Sequence, residues 1–170
     1  MGVFRGYNVN TMNEYGSKIN EELLRYQTDR LRELITEMLH CCEDRKLYES
    51  QKFGLPHAEL KCVMLFDGER YLTVKGMAQR LDVAKSRVTK IINGLVGKGL
   101  VEQMDDPRDG RIRLISLTPA GQKKAEEIDA FQKGIHRKIL LQMAPGERKN
   151  ALGYLELFRS AMEAVKEQLV

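Results

Sequence analysis

Long stretches of the chain repeat apolar residues at steps of three and four, the spacing of an amphipathic helix. The first stretch covers residues 17–52, and the last two cover 119–143 and 145–169. A shorter one, HAELKCVMLF, follows Gly54 and Pro56, which suit the end of one helix and the start of the next. The pattern predicts a mainly α-helical protein whose longest helices lie at its two ends.

Two short helices, separated by three residues, are predicted in the middle of the chain. Thr73 suits the N-cap of the first helix, which ends near Leu81. After a break at residues 82–84, the second helix covers residues 85–98, and Gly99 follows it as a C′ glycine would.

The apolar period then changes from 3.6 to 2. The segments LVEQM (100–104) and IRLISL (112–117) alternate as short strands do, and DDPRDGR lies between them. Pro107 and Gly110 within that stretch predict a hairpin loop. The order of helix, turn, helix and β-hairpin is that of a winged helix-turn-helix.

The positive charge is concentrated in one segment. The net charge is +4, and residues 73–113 hold nine Lys or Arg against five Asp or Glu. The remaining 129 residues hold 19 bases and 19 acids, which cancel. Excess charge confined to one segment is typical of a module that binds a polyanion.

The second helix of the pair begins with AKSRVTK, which is polar and basic. Reading of the major groove needs such residues near the N-terminus of this helix. Arg87 and Lys90 share one face, and Ser86 and Thr89 lie beside them. These residues are therefore candidates for DNA contact.

The stretch LTVKGMAQRLDVAKSRVTKIINGLVGKGLVEQMDDPRDGRIRLISLTPAGQKKAEEI resembles the winged helix-turn-helix of the MarR family of bacterial regulators, named for multiple antibiotic resistance. The shared features are GLVGKGLVEQ, the D-x-R pattern of Asp109 and Arg111, and LTPAGQ. The flanking helices match the order of the family, so the resemblance covers nearly the whole chain from about Ser17.

The resemblance implies a homodimeric transcription regulator of double-stranded DNA, expected to repress a pseudo-palindromic operator and to be released by a small aromatic or phenolic effector. It implies a helical dimerisation region at 17–54 and 119–170, a winged helix-turn-helix DNA-binding domain at 55–118, and an N-terminal extension at 1–16. Apolar stripes at both chain ends independently favour homodimerisation over packing on the small central domain.

The resemblance also implies which residues contact DNA. Arg111 would enter the minor groove, and Asp109 would orient it. Gly110 departs from the family pattern, in which a second arginine is common, so one phosphate contact would be absent and the tip more flexible. The full set of implied DNA-contacting residues is Lys85, Ser86, Arg87, Thr89, Lys90, Arg108, Asp109 and Arg111.

The three cysteines leave a second mode of regulation open. Cys41, Cys42 and Cys62 show no CxxC spacing, so reduced thiols are expected rather than disulfides or a zinc ribbon. A redox-sensing regulator acting through these thiols is one alternative function. Cys41 and Cys42 diverge by about 100° on one helix and cannot readily pair; Cys42 is expected to be buried and Cys41 exposed. A winged helix that binds protein instead of DNA is the other alternative.

Other functions lack a signature. No Gly-rich phosphate loop, GxSxG or HExxH motif is present, so we expect neither an enzyme nor a cofactor. His40, His57 and His136 are scattered, and no metal site is expected. No apolar run would span a membrane and the N-terminus lacks a signal-peptide pattern, which predicts a soluble cytoplasmic protein. Aromatic residues near the predicted domain junction belong either to the core or to a ligand pocket: Phe53, Phe66 and Tyr71.

Overall fold

The computed structural model describes residues 20–169, which are mainly helical with a three-stranded sheet. They form two compact units that divide between Gln51 and Lys52. The predicted helix start near Ser17 and the extension 1–16 lie outside the described residues. The elements in chain order are α1 (Glu21–Phe53), α2 (His57–Met64), β1 (Leu72–Thr73), α3 (Val74–Leu81), α4 (Lys85–Gly97), β2 (Val101–Asp105), β3 (Arg113–Leu117), α5 (Pro119–Leu141) and α6 (Pro145–Glu167).

The sheet contains the predicted hairpin and one strand that was not predicted. Its order is β1-β3-β2, and both neighbouring pairs are antiparallel. Each hairpin strand begins one residue later than predicted, so Ile112 precedes β3. The two-residue β1 pairs Leu72 with Ile115. It is too short to show an alternating pattern, which is why periodicity missed it.

The core of the second unit lies between α2, α3, α4, α5 and the sheet. Its fully buried side chains are aliphatic or sulfur-containing. Burial of one large apolar side chain stabilises the folded state by about 1.5–3 kcal/mol. Less than 2% of each remains exposed in Leu60, Cys62, Val63, Met77, Val88, Ile92, Leu95, Ile115 and Ile128. The buried face of α4 packs into this core, which holds the helix in position.

The turn between α3 and α4 depends on two polar residues. Thr73 caps α3, because its hydroxyl oxygen accepts a hydrogen bond from the Gly76 N–H at 3.0 Å. Asp82 ends α3 in the left-handed region, at φ 52° and ψ 51°, which is unusual for a residue with a side chain. The predicted helix-turn-helix is thus present, with Asp82 as its corner.

The LTPAGQ motif attaches α5 to the end of α4. The Thr118 hydroxyl accepts from the Gly121 N–H at 3.0 Å and donates to the Gly99 carbonyl at 2.7 Å. The Thr118 N–H donates to the Leu100 carbonyl at 3.1 Å. A Cβ on Gly121 would collide with the Leu100 carbonyl oxygen and lie 2.9 Å from its carbon. Only glycine therefore allows this close approach.

The terminal helices carry the predicted apolar stripes, which remain exposed within one chain. Helix α6 buries none of its residues, and α1 buries only Glu49. Arg148 fixes the start of α6, because its Nε donates to the carbonyls of Leu140 and Met143 at 2.7 and 3.0 Å. Over residues 20–169, no helix has both the length and the apolar character needed to cross a bilayer.

Candidate nucleic-acid interface

Helix α4 presents one polar face to solvent. Val88, Ile92 and Leu95 face the core, so Ser86 and Lys90 point in the opposite direction. All the α4 residues predicted to contact DNA are exposed: Lys85, Ser86, Arg87, Thr89 and Lys90. The Thr89 hydroxyl donates to the Lys85 carbonyl at 3.0 Å, which fixes its rotamer along the helix.

A glycine in the middle of α4 brings this helix close to α2. A Cβ on Gly94 would lie 2.7 Å from a carboxylate oxygen of Glu59. The same carboxylate bonds the Lys98 ammonium group at the end of α4. Sequence reasoning missed this contact, since a mid-helix glycine gives no indication of its partner.

The wing tip is ordered by two aspartates that bond the backbone. The Asp106 carboxylate accepts from the Arg108 N–H at 2.8 Å, and the Asp109 carboxylate accepts from the Arg111 N–H at 3.0 Å. The Ile112 N–H donates to the Asp109 carbonyl at 2.9 Å. Such local bonds from Asp to the backbone two residues on stabilise turns.

Arg111 extends from this tip into solvent. Its side chain is 95% exposed, and its Nε lies 3.9 Å from Asp109, too far for a good hydrogen bond. Asp109 therefore holds the backbone of Arg111 more firmly than its guanidinium group. This geometry leaves the guanidinium available to an external acceptor.

Most bases between residues 73 and 113 form no ion pair within 4.0 Å with another of the residues that the structure describes. Three have a carboxylate oxygen within 4.0 Å: Arg80 with Glu69, Lys98 with Glu59, and Arg111 with Asp109. Hydrogen bonding to Glu69 raises the pKa of Arg80 above its ordinary value. Within the described part of the chain, the six bases without such an ion pair are Lys75, Lys85, Arg87, Lys90, Arg108 and Arg113.

A cavity of about 410 Å³ lies between the end of α2, the loop after it and α5. Of the three aromatic residues considered for a ligand pocket, only Phe66 lines it. Phe53 instead contacts the edge of Phe131, with ring centroids 5.5 Å apart, and Tyr71 lies beside the Arg70 guanidinium at 5.1 Å. Phe66 therefore stays a candidate for a ligand pocket, whereas Phe53 and Tyr71 do not line this cavity.

The cysteines differ in exposure. Cys41 is exposed as predicted, and Cys62 is buried in the core. Cys42, which was expected to be buried, is only half-buried. Burial, with a smaller contribution from Glu59, raises the pKa of Cys62 to about 12. It is therefore a protonated thiol at neutral pH and poorly suited to redox sensing. Among residues 20–169, no three His, Cys, Asp or Glu side chains group closely enough to bind a metal ion.

Two curated regulators are similar to this chain. Transcriptional regulator AdcR of Streptococcus pneumoniae is 27% identical over 113 residues, which cover 65% of this chain and 71% of AdcR. The HTH-type transcriptional repressor MdtR of Bacillus subtilis is 28% identical over 122 residues, covering 72% and 79% of the two chains. Both relatives are named as regulators rather than as enzymes.

Comparison of folds and of family sequence patterns points the same way. The structure of Streptococcus pneumoniae FabT in complex with DNA matches 81% of this chain and 99% of FabT, with a TM-score of 0.68 and 20% identity. A sequence model of the MarR family matches residues 53–112, from the end of α1 through the wing. Residues 53–112 thus carry the winged helix-turn-helix of the MarR family of DNA-binding transcriptional regulators.

Proposed function

We propose that the protein is a homodimeric repressor of a pseudo-palindromic operator, with α4 of each protomer in the major groove and the wing in the adjoining minor groove. The observation that supports this proposal most is that α4 and the wing carry exposed basic side chains, few of which form an ion pair with a nearby carboxylate. FabT, which shares the fold, is described in complex with DNA, and the relative MdtR is named a repressor. The domain division at residues 54 and 118 is part of this proposal.

Helix α4 would read bases with its outward residues. Ser86 and Lys90 point directly away from the core, and Arg87 lies beside them. Lys and Arg recognise guanine in the major groove, and Ser accepts or donates a hydrogen bond to any base. Each good bidentate contact discriminates against a wrong base by about 1–3 kcal/mol.

The wing would read the width of the minor groove through Arg111. A narrow minor groove concentrates negative potential, which attracts an inserted arginine. Arg108, also exposed at the tip, would contact phosphate, and Asp109 would hold the tip backbone in place. The proposed role therefore depends on the 95% exposure of the Arg111 side chain.

Substitution of the wing arginine tests this arrangement. Arg111→Ala should weaken binding several-fold to a DNA fragment that the wild type selects, measured by fluorescence anisotropy. Its thermal midpoint should not change, because the side chain has only one distant ion pair at 3.9 Å. Arg70→Ala, which removes the same charge from an exposed loop outside α4 and the wing, is the control. Equal affinities for Arg111→Ala and wild type would contradict the minor-groove role.

Exposed apolar stripes support the homodimer. On α6, the stripe repeats at steps of three or four, and more than half of each side chain is exposed: Leu152, Leu155, Met162 and Val165. On α1, a similar set is 40–58% exposed: Leu23, Leu24, Leu31, Leu34, Met38 and Leu39. Apolar residues that stay exposed along one face of a helix mark an interface, and a two-fold dimer matches a palindromic operator.

Two substitutions to glutamate, one on the apolar stripe of α6 and one on the other side of the helix, test whether the stripe forms the dimer interface. Leu155 lies on the stripe, whereas Leu157 lies about 160° further around the helix and is 68% exposed. Leu155→Glu should shift the protein toward monomer in sedimentation velocity, and Leu157→Glu should leave it dimeric. A wild type that sediments as a monomer at micromolar concentration would contradict the dimer.

We place the effector in the cavity of about 410 Å³, a size within the range of small-molecule sites. Its floor is apolar, with Phe66 and Ala125, and its rim carries Asp67, Glu126 and Arg70. A phenolic O–H would donate to a carboxylate on the rim while its ring packs on Phe66. This chemistry fits the small aromatic or phenolic effector that the family resemblance implies.

A substitution that fills the cavity tests the effector site. A panel of small phenols and aromatic acids is screened for release of the wild type from DNA. Ala125→Leu should leave DNA binding intact and reduce the response to an active compound at least several-fold. Lys123→Leu, at an exposed position of α5 that does not line the cavity, should respond as the wild type does. An unchanged response of Ala125→Leu would place the effector elsewhere.

A further inference from the structure

An open cleft of about 600 Å³ lies between α4 and the wing. Lys85, Thr89 and Asn93 form the α4 wall, four residues apart and therefore in one row along the helix. Lys75, in the first turn of α3, and Arg113, at the start of β3, contribute to the opposite side. Neither Lys75, Asn93 nor Arg113 belongs to the set predicted to contact DNA.

The strand pattern explains why Arg113 lines this cleft. Side chains alternate between the two faces of a strand, so Arg113 shares a face with Ile115, which is fully buried in the core. Arg113 therefore points to the side of the sheet on which the core packs, just beyond the end of that core. Its guanidinium group donates to Gln103 at 3.4 Å. Asp105, its register partner on β2, forms no ion pair with it within 4.0 Å.

Among the described residues, the charged side chains that line the cleft are all basic: Lys75, Lys85, Arg111 and Arg113. In the described part of the chain, Lys75, Lys85 and Arg113 have no carboxylate oxygen within 4.0 Å. Like charges close together around one cleft repel each other, and an anionic ligand would relieve that repulsion.

DNA geometry identifies the anion. When a helix occupies a major groove and a wing occupies the neighbouring minor groove, one sugar-phosphate strand separates them. The cleft between α4 and the wing faces that strand, so its cations would meet phosphates. This step rests on the proposed function, because it assumes that α4 and the wing enter adjacent grooves.

We propose that the cleft is a clamp for one phosphate backbone, in which Lys75 and Arg113 bind phosphates. Lys85 and Thr89 also line this cleft, so they contact the phosphate backbone of DNA rather than its bases. Base reading then falls to the outward residues Ser86, Arg87 and Lys90. The interface thus separates a positioning surface from a reading surface.

The salt dependence of binding tests the clamp. Full-length wild type, Lys75→Ala and Arg113→Ala are titrated, across a series of salt concentrations, with a selected fragment and with an unrelated duplex. Each lost phosphate contact lowers the slope of log K against log salt by about 1, hence by about 2 for a dimer. Affinity should fall equally for both duplexes, because phosphates carry no sequence information.

Controls distinguish charge from structure. Arg113→Lys keeps the charge and should keep most of the slope, and Lys61→Ala removes a charge from an exposed position of α2 that does not line the cleft. Both alanine variants should retain the wild-type thermal midpoint, since Lys75 and Arg113 are exposed.

The outcomes that contradict the clamp are distinct from failure of DNA binding itself. Unchanged slopes for both alanine variants, with normal wild-type binding, would overturn the clamp and leave the proposed function standing. Loss confined to the selected fragment would show that these residues read bases, which also overturns it. If the wild type binds neither duplex at low salt, the proposed function and the clamp both fail.

Discussion

The contact between Gly121 and Leu100 gives the most specific prediction for stability. In Gly121→Ala, the new methyl group would collide with the Leu100 carbonyl oxygen, which already accepts the Thr118 N–H. Backbone lies on both sides of this contact, so the collision cannot be relieved by rotating a side chain. The start of α5 must therefore move away from the end of α4.

The expected destabilisation follows from the contacts that this movement breaks. Overpacking costs about 1–3 kcal/mol. Loss of the Thr118 hydrogen bonds to Leu100 and Gly99 adds about 1 kcal/mol each. Alanine regains about 1 kcal/mol over glycine within a helix. The net loss is about 2–4 kcal/mol, which lowers the thermal midpoint by roughly 5–15 °C.

Urea unfolding followed by circular dichroism measures this loss, at one fixed protein concentration because a dimer unfolds in a concentration-dependent way. Gly97→Ala is the control. Gly97 is exposed and lies in α4, and a Cβ added there would have no other residue's atom within 4 Å. It should be neutral or slightly more stable than wild type. If Gly121→Ala proves as stable as Gly97→Ala, the close approach is not what requires glycine.

Four further predictions concern the glycines and cysteines. Gly110→Arg should tighten DNA binding without loss of stability, because the position is open and its φ is not positive; unchanged affinity on a selected fragment would show that the tip reaches no further phosphate. Gly94→Ala should change the free energy of unfolding by no more than about 1 kcal/mol in a urea titration, because the methyl group meets only the end of the Glu59 side chain, which can turn aside, and alanine favours the helix; a larger loss, comparable with that of Gly121→Ala, would contradict this. A thiol reagent should label Cys41 in the native protein and Cys62 only after unfolding. Because burial raises the pKa of Cys62 from 9.0 to about 12, the unfolded chain loses this proton first as pH rises, and stability should fall by up to about 1.4 kcal/mol per pH unit between 9 and 12; Cys62→Val should lack that part of the decline.

The order of helices and the hairpin could be predicted because each long element has a strong local signature. Thr73, Gly99 and Thr118 mark helix ends through hydrogen bonds that are local in sequence. The resemblance to the MarR family, also drawn from the sequence, is confirmed. The roles of the eight DNA-contacting residues stay predictions, although all eight are exposed.

Features that depend on distant contacts could not be predicted. Strand β1 exists only because β3 pairs with it, and Gly94 lies against Glu59, a residue of another helix. The inclusion of Lys75 and Arg113 in the α4–wing cleft depends on how the sheet packs beside the helices. Sequence patterns record local periodicity, whereas these features arise from residues brought together by folding.

Selection of DNA fragments, followed by titration at two salt concentrations, tests the central claim most directly. Fragments of the source genome that the wild type retains are sequenced, and the enriched ones are bound at about 50 and 200 mM salt. The account predicts an inverted repeat with half-sites about one helical turn apart, and a loss of several orders of magnitude in affinity at the higher salt. No enrichment, together with no binding at the lower salt, would contradict it.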